Sequence, residues 1–337
     1  MYKSNYMNII SIFLLKGFRK LYAKMNNNGF NSSLSIEEDL NKSSDIIYEL
    51  LASDKPCMIA RFGATELNTV MNYISITSSN HSFLKFIKGE QSEWWWNKKL
   101  VNQMQQWSGF FPPTEDNIER FCRLVLDDSK LMDICGVFKS VEKSLNIIRN
   151  DYFPNAKFLK LISYDPFVVK NPWSRILKGK KVLVIHPFEE LITEQYSRRT
   201  ELFDNPDILP DFELKTIKAV QSLGGYSNGF VDWFEALEWM KSEMDSIDYD
   251  ICLIGCGAYG LPLAAHAKRR GKKAVHIGGG LQLLFGIKGH RWELPSAPLI
   301  WGLPKDFYIK LFSNPAWVRP TQYKNKHADK VENACYW

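Results

Sequence analysis

The sequence predicts an α/β fold: a Rossmann-like, mostly parallel sheet with helices on both faces. Three observations carry that expectation. Residues 250–280, DICLIGCGAYGLPLAAHAKRRGKKAVHIGGG, hold a complete strand, glycine turn, helix and second strand. Beyond Pro172 strand-like and helix-like segments alternate regularly, as parallel βαβ units do. Ile251, Cys252, Leu253 and Ile254 form a short run that is apolar on both sides, as a strand covered on both faces must be. The organisation expected is a basic, apolar N-terminal helix and polar linker over residues 1–33, then a single α/β domain over residues 34–337.

Taken in order, Met7 to Leu15 is an apolar-rich stretch flanked by Lys3, Lys16, Arg19, Lys20 and Lys24. It is too short to span a bilayer. It suits either a first helix covering the core or a basic helix lying on a membrane surface through residues 1–24. Ser35 and Glu38 have the spacing of a capping box for the next helix. Residues 55–61 read as a strand, and Gly63 turns the chain into a helix over 64–73. Residues 92–107, rich in Trp, are expected to be helical. Pro112 and Pro113 break the chain, and Thr114 caps a helix to residue 126. Residues 134–138 and 157–162 read as strands around a short helix near 141–149. Residues 181–185 and 214–220 are further strands, followed by helices from about 189 and 231. In the glycine-turn unit the helix starts near Ala258 and ends on Lys268, Arg269 and Arg270, with Gly271 placed to close it in the left-handed conformation. The segment after about 290 is expected to wrap back over the body.

Composition narrows the function classes. Forty-three basic against 37 acidic residues give a formal net charge of +6, too mild for a nucleic-acid binder and without basic runs interleaved with aromatics. An anionic small molecule or an anionic membrane surface is the better partner. Six cysteines occur without a C-x-x-C pair, which fits a reduced, cytoplasmic protein that binds no zinc.

In an open α/β sheet ligands sit beyond the carboxyl ends of the strands. Four such ends carry chemistry. Arg61-Phe62-Gly63-Ala64-Thr65-Glu66 presents an Arg for phosphate and a carboxylate that can serve as base or metal ligand. His186 follows the strand KVLVI and is suited to meet phosphate or to act as acid. Gly255, Gly257 and Gly260 make a G-x-G-x-x-G turn at a helix N-terminus, with Tyr259 available to stack on a base. His276, Gly278 and Gly279 close the next strand. A dinucleotide fingerprint would need an acidic residue at that point, and Val275-His276-Ile277-Gly278 offers none, which disfavours an NAD-dependent oxidoreductase. Ser163-Tyr164-Asp165-Pro166 is a further strand-end turn with a carboxylate.

Arg61-Phe62-Gly63 with Glu66 resembles the RFGDGE signature of GT-D-type glycosyltransferases, and the Leu253 to Gly257 block with its helix resembles their second block. HPF at 186–188 and VENACYW at 331–337 are similar to segments of proteins encoded in bacterial surface-polysaccharide clusters. The resemblance covers under a third of the chain. It implies a catalytic domain that transfers a sugar from a nucleotide-sugar donor to a glycan or lipid-linked acceptor on the cytoplasmic side. Catalysis would rest on Glu66 and His186, with donor binding by Arg61, Gly63, Thr65, Gly255, Gly257, Tyr259, Gly260, His276, Gly278 and Gly279. The family's Asp position is Ala64 here, so Mn²⁺ or Mg²⁺ would have Glu66 alone, which leaves open a metal-independent transfer or a protein that has lost transfer activity. A non-catalytic nucleotide- or glycan-binding assembly protein is the alternative.

Overall fold

The computed structural model describes residues 8–26, 33–222, 227–323 and 336–337. Its centre is one eight-stranded, all-parallel sheet. The strands are β1 (Ile36–Glu37), β2 (Cys57–Arg61), β3 (Ile134–Val137), β4 (Lys157–Lys160), β5 (Lys181–His186), β6 (Glu213–Lys218), β7 (Ile251–Ile254) and β8 (Lys273–His276), in the order β1-β4-β3-β2-β8-β7-β5-β6. The Rossmann-like α/β class expected from the sequence is what the chain forms. Strands β3 and β7 are apolar throughout because both of their faces are covered: every residue of each is buried. Strand β6 at the edge alternates and leaves Glu213 and Lys218 exposed.

The helices before the C-terminal segment are, among the described residues, α1 (Ile9–Met25), α2 (Leu40–Ala52), α3 (Ala64–Thr77), α4 (Phe83–Ile87), α5 (Lys98–Ser108), α6 (Glu115–Ser129), α7 (Lys139–Tyr152), α8 (Glu189–Ser197), α9 (Trp233–Ser246) and α10 (Gly260–Arg269). One core lies between the sheet and α3, α6, α7, α9 and α10, with Leu67, Phe121, Leu145, Trp233 and Leu263 at its heart. The other lies under α2, α8 and a C-terminal segment that begins with α11 (Leu281–Leu284). That segment does wrap back over the body: Phe285, Trp292, Tyr308 and Trp317 are buried in this second core.

Three local expectations shift. The capping box at Ser35 and Glu38 does not form, because Ile36 and Glu37 pair with β4; Asp39 caps α2 instead, accepting from the N–H groups of Asn41 and Lys42. Trp94, Trp95 and Trp96 lie in a turn ahead of α5. The buried Asn72 clamps that turn, donating to the carbonyls of Glu93 and Trp95 and accepting from the Asn97 N–H. Third, α10 starts at Gly260 rather than Ala258, after a single 3₁₀ turn over Gly257–Tyr259. Thr114 caps α6 as expected, and Gly271 ends α10 at φ +74°. The linker residues 27–32 and residues 331–335 of the VENACYW stretch lie outside the described residues.

A crevice at the strand ends

Neighbouring strands send the chain to opposite faces. From β2 and β7 it enters α3 and α10 on the first core, and from β5 and β8 it enters α8 and α11 on the second. A crevice therefore opens beyond the carboxyl ends of β2, β8, β7 and β5, where open α/β sheets bind ligands. Two cavities occupy it, and both are walled by Arg61 and Gly279.

The smaller, about 100 Å³, is lined by Arg61, His186, Gly255, Gly257, Tyr259 and Gly279, with Ser108 and Ser222 on its far side. Six of the expected residues thus meet in one place. Arg61 is the most informative. Its guanidinium lies on Gly278, where a Cβ would come within 2.7 Å of Nη2, and the glycine's φ of +80° is one that side chains avoid. Its buried Nε has no hydrogen-bond partner, and no ion pair joins Arg61 to any described residue. A recessed cation without a counter-charge is costly, and an anionic ligand would remove that cost.

His186 is buried, and burial pushes its pKa down to about 3, so the ring is neutral near pH 7. Its Nδ1 accepts from the Phe188 N–H at 3.0 Å, which assigns the proton to Nε2. Near pH 7 the ring therefore carries no imidazolium proton to give. It can donate one hydrogen bond to a phosphate oxygen. The close approach of its ring to Gly255 explains that glycine, since a Cβ there would meet Cδ2 at 2.8 Å.

Other expectations are redirected. Tyr259 is not free to stack on a base: it is buried, stacks on Trp233 at 4.7 Å between ring centroids and shares a hydrogen bond of 3.0 Å with Ser222. Gly260 does not face a phosphate either. It packs against the imidazole of His276, which sits behind the turn with neither ring nitrogen bonded, held neutral by burial and by the charge of Arg61. Of the three glycines of the turn, Gly257 alone is open, at φ +59° with only the Ser108 carbonyl near, at 3.8 Å.

Glu66, Gly63 and Thr65 line neither cavity. The Glu66 carboxylate folds over Gly63, the N-cap of α3, where negative charge suits the helix dipole. One carboxylate in that position is not a donor set for Mn²⁺ or Mg²⁺. Among the described residues no three His, Cys, Asp or Glu side chains come together to hold a metal.

The larger chamber, about 500 Å³, falls in the size range of ligand pockets, which the smaller cavity alone does not reach. Phe138, Trp292 and Trp301 form its aromatic walls, and Asp165 and Arg291 its charged groups. Asp165 sits on the bare backbone of Gly280, its Oδ1 2.5 Å from where a Cβ would be. Burial lifts its pKa to about 7. The strand-end turn marked Asp165 in the sequence; its burial is a tertiary fact that no local pattern reports. Tyr336, which lines the small cavity, and Arg291, which donates to the Tyr336 hydroxyl at 3.0 Å, carried no sequence signal. The chain matches no known protein family, no curated protein and no solved structure.

Proposed function

We propose that the protein is a glycosyltransferase whose nucleotide-sugar donor lies across Arg61, its diphosphate toward the glycine-lined cavity and its sugar toward the aromatic chamber. The observation that carries this reading is Arg61 itself: a recessed guanidinium with no counter-charge among the described residues, standing where the two cavities meet. A diphosphate matches its fork of donors, and the neutral His186 adds one more donor. Aromatic walls suit the apolar faces of a sugar ring, and 500 Å³ accommodates one with part of its acceptor.

The base of this transfer is Asp165 rather than Glu66. With a pKa of about 7 it is both ionised in part and basic enough to take a proton near neutral pH. Asp165 removes the proton of an acceptor hydroxyl while that oxygen bonds to the anomeric carbon. The bond from that carbon to the diphosphate breaks, and the leaving nucleoside diphosphate keeps the electron pair, its charge balanced by Arg61. The resemblance to GT-D-type enzymes at Arg61-Phe62-Gly63 supports the same class, and extends it to a glycan or lipid-linked acceptor in surface polysaccharide synthesis. Five buried, unpaired cysteines accord with a reducing cytoplasm.

A thermal-shift series with UDP, GDP, CMP, dTDP and NAD, each with and without Mn²⁺, tests the reading. One nucleoside diphosphate at 100 times its dissociation constant should stabilise the protein by about 2.7 kcal/mol, equally with and without the metal. Arg61→Met should abolish that shift while leaving the unliganded protein at least as stable, since it removes an uncompensated charge. A shift with NAD alone, or with no nucleotide, would overturn it. A nucleotide shift without sugar transfer to any acceptor would identify the non-catalytic binding protein instead.

A further inference from the structure

Helix α1 resolves a choice the sequence left open. Of its apolar residues whose side chains are described, Leu15 alone is buried, in a small cluster with Phe86 and Trp94 apart from the two main cores. Ile10, Phe13, Leu14, Phe18, Leu21 and Met25 are all more than half exposed, Phe13 by 77%. Their spacing of three and four residues places them in a single stripe along the outer face. Such a stripe needs an explanation, because soluble surfaces scatter their large apolar side chains.

The charges on the helix divide in two. Lys16 and Arg19 face the body: Lys16 pairs with Glu93 at 3.6 Å, and Arg19 lies over the Phe86 ring. Lys20 and Lys24 flank the outer stripe and pair with no described residue. No Asp or Glu occurs in the chain before Glu37. Helix α4, on which α1 packs, adds exposed Phe83 and Leu84. The helix is 17 residues long, about 25 Å, shorter than the roughly 30 Å apolar thickness of a bilayer, and no described helix is long and apolar enough to cross one.

We infer that the outer face of α1 docks the protein on an anionic membrane surface, with Phe13, Phe18 and Leu21 entering the acyl boundary and Lys20 and Lys24 meeting lipid phosphates. The occupant follows from charge. A second copy of this chain would bring the same lysines against one another, whereas an anionic leaflet complements them. The inference is independent of the transferase reading.

Vesicle flotation of the full chain tests it, comparing phosphatidylcholine alone with phosphatidylcholine mixed with phosphatidylglycerol. The protein should rise with the mixed vesicles and stay behind with the neutral ones. Lys20→Gln with Lys24→Gln should weaken partitioning by about 30-fold, at roughly 1 kcal/mol per lysine. Phe13→Ser with Phe18→Ser should abolish it, with an unchanged far-UV spectrum because both side chains are exposed. Equal flotation with neutral vesicles, or none with either, would overturn the inference. So would a dimer in solution that the double Phe variant dissolves, since the stripe would then bind a second copy.

Discussion

The two cavities that share Arg61 are built on opposite principles. The small one is made by subtraction: Gly255, Gly257 and Gly279 withhold side chains, and His186 is stripped of charge by burial. The large one is made by addition, with Trp292, Trp301 and Phe138 as walls and Asp165 made more basic by burial. The first offers fixed donors and no titrating group near neutral pH, which suits holding an anion. The second offers a group that exchanges a proton near neutral pH, which suits chemistry. Function by this division depends on Arg61 belonging to both.

The sharpest way to break the comparison is at the two carboxylates. Asp165→Asn should lower turnover by about 10² to 10⁴-fold, the usual contribution of a general base, with little change in nucleotide affinity. Glu66→Gln should leave turnover within a few-fold, because that carboxylate lies on its own helix N-terminus and lines neither cavity. Measured turnover in the reverse order would return the base to the β2 corner. It would also demand a movement that frees Glu66 from Gly63.

Subtraction predicts its own cost. Gly260→Ala would drive a methyl into the buried imidazole of His276, which is walled in and has no room to retreat. Overpacking of this kind costs about 1 to 3 kcal/mol, read directly in a denaturant melt. Gly257→Ala has space around its Cβ and should cost only the strain of a φ of +59°. If the two variants prove equally stable, the G-x-G-x-x-G spacing here concerns something other than packing against His276.

How far the sequence led follows the same line. Strands β3 and β7 were legible because a strand buried on both faces has no polar residue to disguise it, and β5 and β8 because their polar residues fall only at their ends. Arg61, His186 and Gly257 were legible because chemistry collects at carboxyl ends of parallel strands. What escaped were effects of distance. The Asn72 clamp overrides helix propensity at Trp94 to Trp96 from more than twenty residues away. Trp233 takes the face of Tyr259 that a base would need, and β4 draws Ile36 and Glu37 out of a capping box. The placement of Glu66 is a related case: at the third position of α3 its carboxylate folds over Gly63, a local arrangement that its sequence motif does not report.

The subtlest test is the pH dependence of stability, where Asp165 of the large cavity and His186 of the small one pull in opposite directions. Asp165 in the chamber has its pKa raised to about 7 and Asp128, buried beside Arg269, to about 6, against about 3.9 unfolded. Between pH 4 and 6 the folded chain holds these protons and the unfolded chain does not, so their contribution is full below pH 4 and is lost as pH rises. His186 is lowered to about 3, and burial and the charge of Arg61 hold His276 well below its ordinary value, against about 6.5 unfolded. Their contribution is full above pH 6.5 and is lost as pH falls. Two groups against two should leave the wild-type curve nearly level from pH 4 to 6. Asp165→Asn should tilt it upward with pH and His186→Gln downward. Each tilt is bounded by the roughly 1.4 kcal/mol per pH unit of one proton, and is smaller for Asp165, whose carboxylate borders the open chamber. Denaturant melts at half-unit steps would read these slopes. Parallel curves for wild type and Asp165→Asn would mean an ordinary carboxylate, and the division between a holding cavity and a reacting one would fail at its chemical end.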